Sequence, residues 1–400
     1  MNKATVRALS VLVIAFAIRF IASVVTTATS LNPDSTIDAI AFGNHAANIA
    51  QGISEGHPYL YASGSLDSTQ LLVPLLSADT HLMWGTFLAP FWLLPGPSGF
   101  YARLGNALLG ALAIYNVYLI ARHYYSHTAG VIATLPMLVY PSFVGVQSTL
   151  LREAIVLFGL TTAARLLIIP LKQRSRWFSY SLAIFLLHIA LLQRPDNAII
   201  VAAAISAAVV VYAVKSGYIS KYTVGIGVTL SPIAFVLSLP IIRDGVEYLS
   251  YTRRVRAGGR AVYLQDVIPQ TVLELVAFSW IGAAYFLYAP FPWMIETIPD
   301  LLVGIEGILN IVFTVAAIWG VRSFGQKNPY TTVGLVVGLT IAVVLYGVGT
   351  VNYGTGMRHR QMFLWIIFLF GGIGISEQVR VLWPFHRSRS LSTESSTNLD

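Results

Sequence analysis

The segment from residue 8 to residue 28 reads ALSVLVIAFAIRFIASVVTTA, and Arg19 is its only charged residue. At 1.5 Å per residue, a helix of this length crosses the roughly 30 Å hydrocarbon core of a bilayer. No A-x-A-like cleavage motif follows the run, so we predict a retained membrane anchor and not a signal peptide. A charge near mid-span costs at least about 2.5 kcal/mol on insertion scales, so Arg19 should face the bundle interior with a partner.

The rest of the chain has the same apolar character. Of its 400 residues, 56% are hydrophobic and 10% are charged, and the mean hydropathy is +0.70. This composition excludes an ordinary soluble domain. We predict an all-α polytopic membrane protein with about 10–12 transmembrane helices and a long first extracytoplasmic loop that carries amphipathic helices. The clearest apolar runs are 8–28, 102–122, 128–147, 151–170, 177–193, 197–214, 222–242, 300–321, 330–350 and 361–379.

The distribution of basic residues predicts the orientation of these spans. Segments 81–95 and 271–290 are ambiguous in length and in proline content. If neither crosses, several basic groups fall on the same side as the amino terminus, which the positive-inside rule makes cytoplasmic. They are Arg122 and His123, the cluster at 172–176, Lys215 and Lys221, Arg322 and Lys327, and the arginines of the tail. Loops 29–100 and 243–299 then lie outside. This arrangement predicts one catalytic membrane domain, residues 1–379, and a disordered cytoplasmic tail, residues 380–400.

Net charge and cysteine content exclude several classes of site and partner. The net charge of +8 is explained by cytoplasmic loops, so we expect membrane lipids as partners and no nucleic acid. The chain contains no cysteine, which rules out disulfides, thiol catalysis and cysteine metal sites.

The first extracytoplasmic loop concentrates acids. Residues 29–80 contain no Lys or Arg, whereas five of the chain's 17 acids lie there: Asp34, Asp38, Glu55, Asp67 and Asp79. A carboxylate at the membrane surface can accept the proton of an attacking hydroxyl. Asp38 can equally stabilise the amino end of the helix that follows it, which we expect to end near Gly52. Both roles remain open from the sequence.

The spacing of Asp38, Phe42, Ala46, Asn48 and Gly52 resembles a family pattern. It is similar to the first loop of the GT-C glycosyltransferases, especially the dolichyl-phosphate-mannose protein mannosyltransferases and the aminoarabinose transferases. Ala39 stands where that family often has a second acid, and Asp34 is the nearest substitute. Further segments resemble the family in the same order along the chain: 100–125 (FYARLGNALLGALAIYNVYLIARHYY), 141–160, 285–295 and 352–375.

The resemblance implies a hexosyltransferase of the cell membrane with an extracytoplasmic active site. Such an enzyme moves a sugar, with inversion, from a polyprenyl-phosphate donor to a glycan, lipid or protein acceptor. Asp38 is then the candidate base, and Asp34 assists it. Arg358, His359 and Arg360 are candidates for the donor phosphate, because guanidinium groups match phosphate oxygens. Interfacial anchoring of these basic residues is the alternative.

Four further charged residues are candidate substrate contacts or structural charges: Arg19, Arg152, Glu153 and Arg194. Arg152 and Glu153 are adjacent on a helix and cannot face each other, so each needs its own partner.

Two remaining groups of residues raise the question of ligands. His45, His57 and His81 share the first loop with the acids but lack tight ligand spacing. We therefore assign no metal site, and a divalent metal stays open as a cofactor. The arginines between residues 253 and 260 predict a basic, solvated loop.

Two other functions compete with the transferase. A polysaccharide polymerase or ligase would use the same lipid-linked glycans, but its large loop more typically lies late in the chain. A transporter or flippase of lipid-linked sugars should show internal repeats and paired broken helices. The sequence shows no internal repeat, which disfavours transport.

Overall fold

The computed structural model describes residues 3–29, 37–56, 80–169, 176–220, 222–223, 229, 243–255 and 257–382. Within these ranges the regular structure is helical, and one antiparallel bridge joins Val262 to Asn352. The all-α prediction is confirmed. Residues 243–255 form a helical segment, and the other helices are α1 (Lys3–Ala28), α2 (Ile37–Ser54), α3 (Thr80–Trp92), α4 (Ser98–Tyr124), α5 (His127–Val139), α6 (Pro141–Gln147), α7 (Glu153–Ile168), α8 (Arg176–Gln193), α9 (Asn197–Lys215), α10 (Val272–Tyr288), α11 (Ile298–Lys327), α12 (Pro329–Gly349) and α13 (Tyr353–Leu382).

Seven helices in the described part of the chain are long and apolar enough to cross a membrane, and the bent pair α5 and α6 would make eight. They establish a multi-pass membrane protein. The seven are α1, α4, α8, α9, α11, α12 and α13.

The count is lower than the predicted 10–12 for identifiable reasons. The predicted span 128–147 breaks into two helices bent by 69°, and the predicted span 151–170 is the 16-residue α7. Most of 222–242, and of the tail 380–400, lies outside the described residues. The ambiguous segments form α3, of 13 residues, and α10, of 17 residues, both below the roughly 20 residues that a span needs.

The break between α5 and α6 provides a partner for Arg19. Pro141 has no backbone N–H, so the carbonyl of Met137, four residues earlier, lacks its helical donor. Arg19 Nη2 donates to that carbonyl at 2.7 Å, and its Nε donates to Gln147 Oε1 at 2.8 Å. Arg19 is fully buried. The prediction that it faces the bundle interior with a partner is confirmed.

Helix α13 forms the centre of the bundle. Every residue from His359 to Gly374 is buried. Close packing against α11 depends on glycine: a Cβ at Gly320 would lie 1.8 Å from the carbonyl oxygen of Phe370, and one at Gly374 would lie 2.0 Å from that of Ala316. These contacts hold the second half of α13 close against α11.

Helices α2 and α3 pack together over the connection between α6 and α7. The predicted apolar face of α2 is confirmed, since Ala39, Phe42 and Ala46 are fully buried. Trp84 Nε1 of α3 donates to the carbonyl of Leu150 at 2.7 Å. The predicted helix end at Gly52 is wrong, because α2 continues to Ser54. The residue with a left-handed conformation after this helix end is Gly56, with φ of 77°.

Candidate active site

The ends of four helices bring five charged side chains together. Asp38 lies in the first turn of α2 and Arg358 in the first turns of α13. Arg152 and Glu153 stand at the start of α7, and Arg194 follows the end of α8. We call these five residues the charged cluster. The first and the last of them, Asp38 and Arg358, are 320 residues apart in the sequence. The packing of α2, α7, α8 and α13 brings all five together.

Arg358 links the two acids of the charged cluster. Its Nη1 lies 2.9 Å from Asp38 Oδ2, and its Nη2 lies 3.2 Å from Glu153 Oε1. Arg194 Nη2 approaches the same Glu153 oxygen at 2.7 Å. Glu153 therefore receives two guanidinium groups on one oxygen atom. Glu153 is thus paired with arginines other than the adjacent Arg152, as the sequence predicts.

The two carboxylates differ in exposure. The side chain of Glu153 is 1% exposed, whereas that of Asp38 is 40% exposed. A buried carboxylate needs paired charges, and Glu153 has them. Asp38 is paired on one side and open on the other. Glu153 is thus the buried acid of the cluster, and Asp38 is the acid that a second molecule can reach.

Arg152 has hydrogen-bonding capacity that the described residues do not use. Its guanidinium lies over the ring of Phe42, with Cζ 5.7 Å from the ring centroid. In the described part of the chain, its Nε and Nη1 have no hydrogen-bond partner, and neither do Glu153 Oε2 and Arg194 Nε. These four atoms are buried, and they leave donor and acceptor capacity inside the cluster unused among the described residues.

The cluster contains three guanidinium groups and two carboxylates, so it carries one excess positive charge. An anionic group would neutralise that charge and supply acceptors for the arginine N–H groups.

The other two predicted phosphate ligands have different surroundings. The ring of His359 packs against Tyr346 with centroids 5.0 Å apart. Arg360 Nη1 donates to the carbonyl oxygens of Leu287 at 3.2 Å and Ala289 at 2.7 Å. These carbonyls end α10, where a positive charge is favourable. Arg360 therefore acts in the fold as a cap of α10, whereas Arg358 forms ion pairs within the charged cluster.

The remaining predicted site residues lie apart from the cluster or outside the described residues. The three hydrogen bonds of Arg19 go to Gln147, Met137 and Ala15 in the bundle interior. Asp34 and His57 are outside the described ranges, as is the side chain of His81. Among the residues that are described, no group of three His, Asp or Glu side chains could hold a metal ion.

Sequence reasoning did not identify the aromatic and amide side chains that surround the cluster. Phe42 supports Arg152, and Tyr346 donates to Asn197 Oδ1 at 2.8 Å beside Arg194. The available signal was the helical spacing of Phe42 from Asp38, which places both on one end of α2.

Comparison with known proteins identifies a family over part of the chain. Residues 79–241, about two fifths of the sequence, match the family model described as dolichyl-phosphate-mannose-protein mannosyltransferase. The match includes Arg152, Glu153 and Arg194 but does not extend to Asp38 or Arg358. Neither the curated proteins nor the solved structures give a significant match. The resemblance seen in the sequence is thereby confirmed: the chain is similar to the membrane glycosyltransferases of the GT-C type.

Proposed function

We propose that this protein transfers a sugar from a polyprenyl-phosphate donor to an acceptor hydroxyl on the extracytoplasmic face of the membrane, with inversion at the anomeric carbon. The observation that carries the proposal is the pairing of Arg358 with the partly exposed Asp38 at 2.9 Å. It unites a candidate base and a candidate phosphate ligand that lie 320 positions apart in the sequence.

Asp38 acts as the base in this reaction. The acceptor oxygen attacks the anomeric carbon, and its proton passes to the Asp38 carboxylate. The bond between the anomeric carbon and the phosphate oxygen breaks, and the polyprenyl phosphate leaves with the bonding electrons. Asp38 has the exposure that this step requires, whereas Glu153 is enclosed by Arg194 and Arg358.

Arg358 and Arg152 stabilise the departing phosphate. Negative charge grows on the phosphate oxygens as the bond breaks, and preformed guanidinium groups in a water-poor site lower the energy of that state. Arg358 is held in place by Glu153, and Arg152 supplies N–H groups without partners in the described residues. Asp34 assists Asp38, and His359 supports the start of α13 through its packing on Tyr346.

An apolar groove beside the cluster fits the lipid part of the donor. Its walls come from α7, α8, α9, α12 and α13, and include Leu160, Ile200 and Phe363. Leu160 lies seven residues beyond Glu153 on α7, which is about 10 Å along the helix. A phosphate in the cluster could therefore have its polyprenyl chain in this groove.

The proposed extracytoplasmic location is supported by the basic residues at the other end of the bundle. Arg122 donates to the carbonyl of Ala4 at 2.9 Å, and Lys327 donates to that of Tyr124. Asn106 of the same helix α4 donates to the carbonyl of Leu151 at 2.9 Å, next to the cluster. Sixteen residues of α4 separate Asn106 from Arg122, or about 24 Å. The positive-inside rule favours the Arg122 end as cytoplasmic.

The proposal is tested by deleting the gene and profiling lipid-linked sugars and surface glycans by mass spectrometry. Loss of one glycan and accumulation of its lipid-linked donor are expected, with rescue by the wild type and by Glu55→Gln but not by Asp38→Asn. Glu55 is an acid of the same loop outside the charged cluster. Full rescue by Asp38→Asn, or an unchanged glycan profile in the deletion strain, contradicts the proposal.

A further inference from the structure

The connection between α12 and α13 is held along its whole length by residues 257–270, which we call the strap. Tyr263 N donates to the carbonyl of Val351 at 2.8 Å, and Tyr353 N donates to that of Ala261 at 3.0 Å. Asn352 Nδ2 donates to the carbonyl of Gly258 at 3.3 Å. Arg358 follows five residues after Tyr353, about 7.5 Å further along α13.

Arg253, which precedes the strap in the sequence, binds both this connection and the strap. It is 1% exposed, which corrects the expectation of a solvated basic loop at this position. Its Nη1 donates to the carbonyls of Val348 at 2.7 Å and Thr350 at 3.3 Å, at the end of α12. Its Nη2 donates to the carbonyl of Leu264 at 2.8 Å and its Nε to that of Val267 at 3.0 Å, both in the strap.

The position of Arg253 suits a buried guanidinium. Burial lowers the pKa of Arg253, and the nearby Tyr263 opposes that change. The carbonyls at the end of α12 form the negative end of a helix dipole, which favours a cation there. The guanidinium also lies over the ring of Phe278, 4.6 Å from its centroid. One side chain thus connects α10, the strap and the end of α12, from which the connection leads to α13.

A second group of contacts joins the strap and the start of α13 to α11. Arg260 of the strap contacts both oxygens of Asp300, at 2.6 and 3.0 Å. Tyr353, the first residue of α13, donates through its hydroxyl to Asp300 Oδ1 at 2.7 Å. Asn352 Oδ1 then caps α13 by accepting from Gly354 N at 2.8 Å. The direction in which α13 leaves the connection is therefore fixed by side chains of the strap and its neighbours.

We propose that Arg253 is a positioning residue for the transfer reaction: it holds the connection between α12 and α13 so that Arg358 spans Asp38 and Glu153. This inference rests on the proposed function of Arg358 as a phosphate ligand. Arg253 touches neither the substrate nor the reacting atoms and acts through the direction of α13. Lysine at this position retains the charge but lacks the planar fork that four carbonyls require.

The test uses the full-length protein in detergent and farnesyl phosphate, a short analogue of the leaving group, with its Kd measured by isothermal titration calorimetry. We expect Arg253→Lys to raise this Kd about tenfold, because a misplaced Arg358 forms weaker charge-assisted bonds. In a chain that already carries Arg358→Lys, adding Arg253→Lys should change the Kd by less than about twofold, since the two residues act through one contact. Arg254→Gln, an exposed neighbour on the same helical segment, is the matched control and should bind like the wild type.

The outcomes distinguish the proposed role of Arg358 as a phosphate ligand from the proposed role of Arg253 in positioning it. If Arg358→Lys binds farnesyl phosphate as the wild type does, the proposed function of Arg358 fails. If Arg358→Lys weakens binding but Arg253→Lys does not, or the two effects add in full, the positioning role is overturned. If Arg253→Lys fails to fold, Arg260→Gln takes its place: weaker binding in the same non-additive manner supports the role of the strap, and unchanged binding overturns it.

Discussion

Two sets of arginines, all buried except the half-buried Arg358, differ in the groups that they contact. Arg19, Arg253 and Arg360 donate to backbone carbonyls at helix ends and breaks. Arg194 and Arg358 contact carboxylates of side chains. The backbone carbonyls at these positions belong to the fold itself, so the first set stabilises the structure. Carboxylates on side chains can share or exchange their partners, so the second set can respond to an anionic ligand.

The largest expected effect follows from removing the base. Asp38→Asn should lower the rate of sugar transfer about 10²–10⁴-fold, the range for loss of a general base. Because Asp38 is 40% exposed, the thermal midpoint should change little. The rate is measured as release of polyprenyl phosphate from labelled donor in nanodiscs, with Glu55→Gln as the control. If Asp38→Asn releases polyprenyl phosphate as fast as the wild type, the charged cluster does not catalyse the transfer.

Breaking the buried side of the cluster should mainly cost stability. Glu153→Gln leaves Arg194 and Arg358 without their shared carboxylate, and removal of one partner of a buried ion pair typically destabilises a protein by about 3–5 kcal/mol. A clear fall of the thermal midpoint in detergent is expected by differential scanning fluorimetry. Asp244→Asn, an exposed acid outside the cluster, should unfold like the wild type. An unchanged midpoint for Glu153→Gln would show that the two arginines do not depend on this carboxylate.

Arg19→Met tests the first set of arginines, which we call the structural set because they stabilise the fold. The substitution leaves Gln147 Oε1 and the Met137 carbonyl without their donor, which should cost about 1–3 kcal/mol. Transfer activity per folded molecule should not change, because Arg19 does not contact the charged cluster. A selective loss of activity at wild-type stability would move Arg19 from the structural set to the site.

Arg152→Gln gives the smallest expected change and the sharpest comparison with Arg19→Met. Two of the nitrogen atoms of Arg152 lack hydrogen-bond partners among the described residues, so its loss should leave the thermal midpoint nearly unchanged. Binding of farnesyl phosphate should weaken about tenfold, or about 1.4 kcal/mol. Calorimetry and scanning fluorimetry on the same preparation separate the two effects. A large fall of the midpoint with unchanged binding would assign Arg152 to the fold.

Much of this arrangement could be predicted from local patterns. The apolar runs predict α1, α4, α8, α9, α11, α12 and α13 to within a few residues at most ends, because a bilayer imposes both length and composition on a span. The spacing of Ala39, Phe42 and Ala46 predicts the buried face of α2. Charge bias predicts that Asp38 and Arg358 lie on one side of the membrane, which is consistent with their contact.

The roles of individual arginines could not be predicted in this way. Arg358, His359 and Arg360 are consecutive, yet on a helix neighbouring residues point about 100° apart. Arg358 therefore meets Glu153, whereas Arg360 caps α10. Likewise, Arg253 has the surroundings of a buried residue only because the strap and the end of α12 converge on it.

By itself, the sequence determined that this protein is an all-α membrane protein with an acidic first loop and few charges. It did so because the transfer of apolar segments into a bilayer depends on composition along the chain. Only the tertiary structure decided which charges meet. Ion pairs and hydrogen bonds act over about 3 Å, and the packing of α2, α7, α8 and α13 brings side chains from distant parts of the sequence within that distance.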